Sequence, residues 1–403
     1  MLKVYKDRLL RADLILLSVY VATVIIIIYR IKAEGTGYLS PDSMHYLNLA
    51  QNIKDGLGFY VTNEQGIKSY FSTWPVGYPI LIYIVSVITS SDVILASKLL
   101  NFTLLGFSFI SFRLISRKYA FVLASVYGAY TFMEVYSFTW SEAPFLLLLL
   151  LLAGIAHQIF TGQESAKYFM SLFAVCIWLF LIRYIGAFSF AVPALLGLHF
   201  AFNGKNKLAF KLLASSFILA VLAGTYLFIN YKLSGFTTGF DRLEDETESF
   251  TSFLLMLLKG LFNEFLIIRE YRPQNQPDYL LYITAIIQLT VLAFITAKVK
   301  RHYNFWHELK QNSFSMICIG IALLYLTAIL ALRFISHFDA LDYRLLAPFS
   351  FPLFIGLVYT LVSLPDKHKD IIQAKYLLFA FFLLSLFLNL PKKFILQQLQ
   401  QVF

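Results

Sequence analysis

Cysteine and charge are both scarce in this sequence of 403 residues. The two cysteines, Cys176 and Cys318, fall inside apolar segments, which excludes a disulfide framework and a zinc knuckle. Charged residues make up 14% of the chain, whereas 59% is hydrophobic. Because a soluble domain could not keep so much apolar surface from water, lipid is expected to surround much of the chain. Internal repeats and low-complexity linkers are also lacking, so residues 1–403 are interpreted as one membrane domain.

Lysine and arginine (33 residues) outnumber aspartate and glutamate (23 residues), and the formal net charge is +10. The basic residues collect in short runs between apolar segments, which is typical of the cytoplasmic loops of membrane proteins and argues against nucleic acid as a partner. The first apolar segment follows a basic N-terminus. Since Tyr29-Arg30-Ile31-Lys32 offers no small-residue cleavage site, we interpret this segment as an uncleaved first span.

Eleven apolar stretches are long enough to cross a bilayer, which takes about 17–25 helical residues. They predict an all-α polytopic membrane protein with about ten or eleven transmembrane helices. The stretches are approximately 13–32, 93–115, 119–138, 143–160, 168–186, 187–203, 208–230, 279–297, 313–334, 346–363 and 374–390.

A twelfth apolar stretch, 76–90, is better explained as a helix that lies along the outer membrane surface. If it crossed the membrane, the later basic runs would all face outward, against the positive-inside rule. If it lies on the surface, all of them face the cytoplasm; the runs lie at 113–118, 203–207, 298–301 and 366–369.

The stretch 251–268 is predicted to lie on the same surface. Lys259, Asn263 and Glu264 interrupt it at helical spacing, which is typical of an amphipathic interfacial helix. For this segment and for 76–90, a short tilted span is the alternative.

The predicted topology leaves three outer loops, 33–92, 231–278 and 335–345. It also places the C-terminus outside, although Lys392 and Lys393 would favour the cytoplasm.

Four charged residues within the apolar stretches lie towards the predicted outer ends: Lys98, Glu134, Arg183 and Arg333. Arg113 and Lys211 lie at inner ends, where their side chains can reach the water. No stretch carries a charge at its middle, where an ion-coupled carrier is expected to have one. This pattern favours chemistry at the outer membrane surface over passage through a pore.

The first outer loop contains the sharpest local signal, a helix that begins at Ser40-Pro41. Ser40 is predicted to be the N-cap, with Pro41 at the first helical position. Asp42 then lies in the first turn, with Tyr46 and Ala50 below it at four-residue steps. The plain explanation of Asp42 is a carboxylate favoured by the helix dipole; the sharper one is a general base that faces a cleft.

Three further segments combine polar, aromatic and proline residues near predicted outer helix ends. The first is Trp74-Pro75-Val76-Gly77-Tyr78-Pro79, which by itself is better explained as an interface anchor than as a site. The second is Trp140-Ser141-Glu142-Ala143-Pro144, in which Glu142 can simply be a carboxylate stabilised at a helix N-terminus. In the segment 339–348, Asp342 and Arg344 can balance each other on a solvated turn.

Taken in order, these segments resemble the GT-C superfamily of membrane glycosyltransferases, in particular the branch of protein mannosyltransferases and bacterial lipid A sugar transferases. The resemblance covers most of the chain. It rests on Asp42-Ser43-x-x-Tyr46-x-x-x-Ala50, the segments 74–79 and 141–144, Thr238-Gly239-Phe240-Asp241-Arg242, and Asp342-Tyr343-Arg344-Leu345-Leu346-Ala347-Pro348.

The resemblance implies an enzyme of the outer face of the inner (plasma) membrane. Its partners would be a polyprenyl-phosphate sugar donor, membrane lipid, and a glycan, lipid or protein acceptor. Asp42 matches the family's catalytic carboxylate and Glu142 a second acidic position. We predict Asp42 and Glu142 as the catalytic residues, with Asp42 as the general base and Glu142 positioning the acceptor or a water.

We assign further roles on chemical grounds. Arg344 is the first candidate for the donor phosphate, because guanidinium presents a fork suited to phosphate. Arg242, Arg183 and Lys98 are the alternatives, and the substrate pocket is expected to include His45, Tyr46, Tyr78 and Asp342.

No cofactor is predicted with certainty. Many family members have a second acid directly after the first, whereas this sequence has Ser43, which weakens any inference of metal binding. His45 and His337 would be the side chains to join Asp42 around a divalent metal, but no paired ligand spacing supports such a site.

Two other functions stay open at this stage. A transporter or flippase for a lipid-linked sugar would share the aromatic-rich apolar bundle. A ligase or polymerase that joins preassembled glycans would work at the same surface.

Overall fold

The computed structural model describes residues 2–62, 68–238, 249–269, 279–335 and 340–402. These residues form a helical bundle with one small hairpin, in which Tyr60–Thr62 pairs antiparallel with Lys68–Tyr70. The first helices are α1 (Leu2–Ala33), α2 (Pro41–Lys54), α3 (Gly77–Thr89), α4 (Val93–Ile115), α5 (Ala120–Ala124), α6 (Tyr130–Ser137), α7 (Glu142–Phe160), α8 (Ala166–Ile182) and α9 (Ala191–Phe202). The later ones are α10 (Asn206–Ser234), α11 (Phe250–Phe265), α12 (Tyr279–Lys300), α13 (Phe305–Gln311), α14 (Ser313–Ile335), α15 (Tyr343–Ser363), α16 (Lys369–Leu388) and α17 (Lys392–Val402).

Within the described residues, nine helical segments are apolar and at least 18 residues long, enough to cross a membrane. The segments belong to α1, α4, α7, α10, α12, α14, α15 and α16, and to Tyr184–Phe202, which joins a 3₁₀ turn to α9. The prediction of an all-α polytopic membrane protein is therefore confirmed. The predicted stretch 168–186 corresponds to α8, which has 17 residues, followed by that 3₁₀ turn.

The prediction of a single helix over 119–138 is wrong. This segment consists of α5, a 3₁₀ turn at Ser125–Gly128, and α6, and residues 119–137 are all buried. At Gly128 the chain passes so close to α16 that an added Cβ would lie 2.5 Å from the carbonyl oxygen of Phe382. Hydropathy does not distinguish a broken buried segment from a spanning helix, because both are apolar throughout.

The two stretches predicted to lie on the outer surface are helical. α3 has 13 residues, which is short for a span, and α11 has 16. Lys259 of α11 is exposed, but Glu264 is buried inside the protein. The sequence pattern was therefore wrong to place Glu264 on the polar outer side of an amphipathic helix. The position of α3 and α11 on the membrane surface stays a prediction.

The first turns of α2, α7 and α15 meet at one end of the bundle, where they carry Asp42, Glu142 and Arg344. α7 then runs for 19 residues, about 28 Å at 1.5 Å per residue. At the far end of α4, Arg113 pairs with Asp13. The basic run near residue 118 thus lies a helix length away from the polar end that α4 and α7 share.

Gly186 fixes the tight turn that follows Arg183, and it supplies a test of this packing. A Cβ at Gly186 would lie 2.1 Å from the carbonyl oxygen of Leu179, so the backbone itself would have to move. We expect Gly186→Ala to lower the free energy of unfolding by about 1–3 kcal/mol. Gly154→Ala is the matched control, because no heavy atom lies within 4 Å of its added Cβ; alanine there should be neutral or stabilising by up to about 1 kcal/mol. Thermal denaturation in detergent measures both, and equal midpoints would contradict the close approach at Gly186.

Candidate active site

The start of α2 is built as the sequence predicts. Ser40 is the N-cap, its hydroxyl accepts from the Ser43 backbone N–H at 3.3 Å, and Pro41 occupies the first turn. Ser40 Oγ also accepts from Trp140 Nε1 at 2.8 Å, and Ser43 Oγ donates to the Thr139 carbonyl at 2.9 Å. These bonds fasten the first turn of α2 to the segment that precedes α7. Because Asp42 lies in that turn and Glu142 begins α7, these bonds hold the two carboxylates close together.

Arg344 is positioned by the cap of α15. The Asp342 carboxylate accepts from the backbone N–H groups of Arg344 at 2.9 Å and of Leu345 at 3.2 Å, which makes Asp342 the N-cap. Tyr325 of α14 donates to the Leu345 carbonyl at 2.8 Å. Asp342 is exposed and holds Arg344 through the backbone; that its side chain lines the substrate pocket stays a prediction.

Four charged side chains form a continuous group, which we call the Asp42 centre: Asp42, Arg344, Glu142 and Arg183. Arg344 Nη1 lies 2.5 Å from Asp42 Oδ2, and its Nε donates to Glu142 Oε1 at 2.7 Å. Arg183 contacts the same oxygen of Glu142. The Glu142 side chain is fully buried, while those of Asp42, Arg183 and Arg344 are 10%, 14% and 18% exposed. The centre therefore opens to its surroundings at Asp42 and the arginines rather than at Glu142.

The centre carries two negative and two positive charges, so its formal charge is zero. Removal of water strengthens each attraction, but the same burial makes an unpaired charge costly. Arg344 also lies over the Trp140 ring, 4.7 Å from the guanidinium carbon to the ring centroid. Arg344 thus contacts two carboxylates and an aromatic face, and part of its side chain is still exposed.

Two tyrosines line the centre. The hydroxyls of Tyr46 and Ser141 are 3.1 Å apart, and the Tyr78 ring lies 5.1 Å from the Tyr46 ring. Burial, reinforced by the charge of Glu142, raises the pKa of Tyr46 to about 12. Burial likewise raises the pKa of Tyr78 well above its usual value. Both phenols stay protonated near neutrality, and the buried Tyr78 hydroxyl has no hydrogen-bond partner among the described residues. The Tyr78 hydroxyl is thus a buried donor close to Tyr46.

The other predicted site residues lie elsewhere. His45 is exposed, because the buried side of α2 carries Ser43 and Tyr46, and His45 projects to one side of them. That His45 lines the pocket stays a prediction. Lys98 is buried, but its ammonium donates to the Tyr38 and Ser137 carbonyls at 3.2 and 2.8 Å, not to the Asp42 centre. Arg242 and His337 lie outside the described residues.

An apolar cavity of about 290 Å³ lies next to Arg183 along the chain. It is formed between the 3₁₀ turn Tyr184–Phe190 and α14, and its lining residues are Tyr184, Ile185, Ala187, Phe188, Ala328, Ala331 and Leu332. The Phe188 ring of the cavity lining lies 5.5 Å from the Tyr325 ring, whose hydroxyl donates to the carbonyl of Leu345, next to Arg344. The cavity is therefore close to the charged centre, which suits a ligand with an anionic head and a hydrocarbon tail.

Across the described ranges, no three histidine, cysteine or acidic side chains come together in a way that could hold a metal ion. Sequence reasoning missed the contact of Trp140 with Arg344. It also missed Arg269 and the burial of Glu264, for which no local motif gives a signal.

Comparison with known proteins gives a match in structure. ArnT from Cupriavidus metallidurans bound to undecaprenyl phosphate aligns with a TM-score of 0.53 at 12% identity, over 87% of this chain and 60% of the ArnT chain. ArnT from the same organism in the apo state gives a TM-score of 0.44 at 12% identity, over 81% of this chain and 56% of that one. No family model and no curated protein matches the sequence.

The match to the undecaprenyl phosphate-bound structure concerns the fold, because identity is low and the chain spans about 60% of the length of ArnT. This likeness agrees with the long apolar helices of the chain. The chain is a polytopic membrane protein with a GT-C-like fold.

Proposed function

We propose that this protein is a membrane glycosyltransferase that moves a sugar from a polyprenyl-phosphate donor to an acceptor hydroxyl on the non-cytoplasmic face of the inner membrane. The observation that carries the proposal is the Asp42 centre itself. A carboxylate, two arginines and a second carboxylate meet beside an apolar cavity, in a fold shared with a protein solved with undecaprenyl phosphate.

The donor phosphate binds where arginine side chains remain exposed. Arg344 and Arg183 are paired with carboxylates, so an incoming phosphate competes with Asp42 for Arg344. Guanidinium can bind two phosphate oxygens at once, which favours that exchange. Asp42 then gives up its contact with Arg344, and the loss of this positive neighbour makes its carboxylate a better proton acceptor. Binding of the donor thereby prepares the base.

Transfer then takes one displacement. The acceptor oxygen attacks the anomeric carbon of the sugar, its proton passes to Asp42, and the bond from the anomeric carbon to the phosphate oxygen breaks. The electron pair of that bond leaves with the polyprenyl phosphate, whose growing charge Arg344 and Arg183 stabilise. Glu142, fully buried between the two arginines, keeps them in place. With a single carboxylate at the point of attack, inversion at the anomeric carbon is expected.

The basic runs support the assignment of the site to the outer face. The Asp42 centre lies at the ends of α7 and α15 that are opposite to those runs, and basic loops face the cytoplasm.

Labelled polyprenyl-phosphate sugars in proteoliposomes, with native membrane extract as the acceptor source, test the proposal. Covalent transfer of label to an acceptor is the expected result. Movement of the donor between leaflets without transfer would instead support a flippase, and transfer of preassembled glycans alone would support a ligase or polymerase.

The cavity provides a prediction about the donor tail. Ala328→Phe places a ring in the space between α14 and the 3₁₀ turn, so we expect the dissociation constant for undecaprenyl phosphate to rise about tenfold or more. Leu323→Phe is the control, because Leu323 lies on the same helix, is 53% exposed and does not line the cavity. Isothermal titration in detergent measures both variants. Unchanged affinity in Ala328→Phe would place the tail elsewhere.

A further inference from the structure

Another arginine, Arg269, lies near the Asp42 centre. Arg269 follows α11, and its guanidinium carbon lies 5.0 Å from the ring centroids of both Tyr130 and Tyr343. Its Nη2 donates to Thr131 Oγ1 at 2.9 Å, and the side chain is 7% exposed. Two aromatic rings and a hydrogen bond therefore hold the cation in one place.

Arg269 is less satisfied than the other arginine beside Tyr130. Arg30 lies 5.9 Å from that ring and uses Nε, Nη1 and Nη2 in hydrogen bonds, including an ion pair with Glu134. Arg269 Nε, in contrast, is buried and has no hydrogen-bond partner among the described residues. Buried donors are nearly always paired, so an unpaired one on a buried cation points to a ligand.

The carboxylate next to Arg269 neutralises it incompletely. Glu264 Oε2 lies 3.7 Å from Arg269 Nη2, too far for a hydrogen bond. Burial raises the pKa of Glu264 to about 7, against the opposing effects of Arg269, Ser350 and Thr131. Near neutrality a large fraction of Glu264 is uncharged, and Arg269 keeps its positive charge. Asp342 also acts on Glu264 through its charge, and Arg30, with its partner Glu134, lies beside the same Tyr130 ring. Arg344 lies farther off, beyond Tyr343 and Trp140.

Two rings connect this place to the Asp42 centre. Tyr343 under Arg269 lies 6.3 Å from Trp140, and Trp140 lies under Arg344. Consecutive residues of a helix project about 100° apart, so Tyr343 and Arg344 serve different sides of the start of α15. Arg269 is therefore close to the centre but separate from it.

We propose that Arg269 binds an oxyanion of the acceptor, a phosphate or carboxylate, while the acceptor hydroxyl reacts at Asp42. The inference rests on the proposed function, which seats the donor phosphate at Arg344 and Arg183, beside the apolar cavity. That arrangement leaves Arg269, on the other side of Trp140 and Tyr343, for the second substrate. This arrangement selects acceptors that carry an acidic group near the reacting hydroxyl.

Equilibrium dialysis with radiolabelled sulfate tests the site in the purified full-length protein, with undecaprenyl phosphate at saturation. Sulfate is the probe because its charge is constant between pH 6 and 8. We expect the wild type to bind sulfate under these conditions and Arg269→Gln to bind it about tenfold to a hundredfold more weakly, the loss typical of a charge-assisted hydrogen bond. Arg269→Lys should keep part of the affinity. Arg301→Gln, which changes a 67% exposed arginine that pairs with Asp370, should not alter it.

Three results would overturn the inference: no sulfate binding once the lipid is bound, equal binding by Arg269→Gln, or loss of undecaprenyl phosphate binding in Arg269→Gln, which would make Arg269 part of the donor site. Because the readout is binding, it is independent of whether sugar transfer is found.

The acidity of Glu264 adds a second readout. Below its pKa of about 7 the carboxyl is neutral, and above it the carboxylate competes for Arg269. Sulfate affinity in the wild type should therefore fall several-fold from pH 6 to pH 8, and Glu264→Gln should abolish that dependence. Constant affinity in the wild type would contradict the competition.

Discussion

Replacement of Asp42 by asparagine is expected to abolish sugar transfer while the protein stays folded and inserted. Asparagine keeps the shape and can still accept a hydrogen bond from Arg344, which lies 2.5 Å from Asp42. It cannot accept a proton from the acceptor hydroxyl. Loss of a general base typically costs about a hundredfold to ten-thousandfold in rate. The rate of label transfer per folded protein in proteoliposomes measures this loss.

Asp55→Asn is the matched control for this prediction. Asp55 lies at the C-terminal end of the same helix and is exposed, with Gln51 as its hydrogen-bond partner. It should transfer sugar at the wild-type rate. Full activity in Asp42→Asn would remove Asp42 from the chemistry, whatever its place in the ion-pair network.

Arg344→Ala is expected to reduce turnover more than Glu142→Ala, and Glu142→Ala is expected to reduce stability more. Removal of Arg344 takes away the cation assigned to the leaving phosphate, a loss of about a hundredfold to a thousandfold by analogy with single oxyanion donors. Removal of Glu142 leaves Arg183 and Arg344 without their shared partner, which costs about 3–5 kcal/mol when one member of a buried pair is lost.

Both effects must be measured separately, because an unstable variant also loses activity. Turnover is compared per folded molecule after size-exclusion chromatography, and stability by thermal denaturation with and without undecaprenyl phosphate. The opposite order of turnover would assign the phosphate to another cation, with Arg183 first in line.

Local signals in the sequence predicted the start of α2 correctly. Ser40, Pro41 and Asp42 define a helix N-terminus by their own chemistry, and the structure has that helix. The approach of Arg344 to Glu142 is different, because 202 residues separate them. Periodicity carries no information about such a pair, and only the family resemblance brought the two segments into one site.

Features that depend on close tertiary approach could not be read from the sequence. The break at Gly128 arises from contact with α16, and the burial of Glu264 arises from contact with Thr131 and with Ser350 of α15. Arg269 lies in no motif, and its two aromatic neighbours come from distant parts of the chain. In each case the partner is set by helix packing, which single-sequence patterns do not encode.

Cryo-electron microscopy of the full-length protein with undecaprenyl phosphate tests the central claim most directly. We predict that the phosphate lies within hydrogen-bond distance of Arg344 or Arg183, that the contact between Arg344 and Asp42 is lengthened, and that the first isoprene units occupy the cavity beside Tyr184. A phosphate bound among the basic residues at the far ends of α4 and α7, with the Asp42 centre unchanged, would contradict the account.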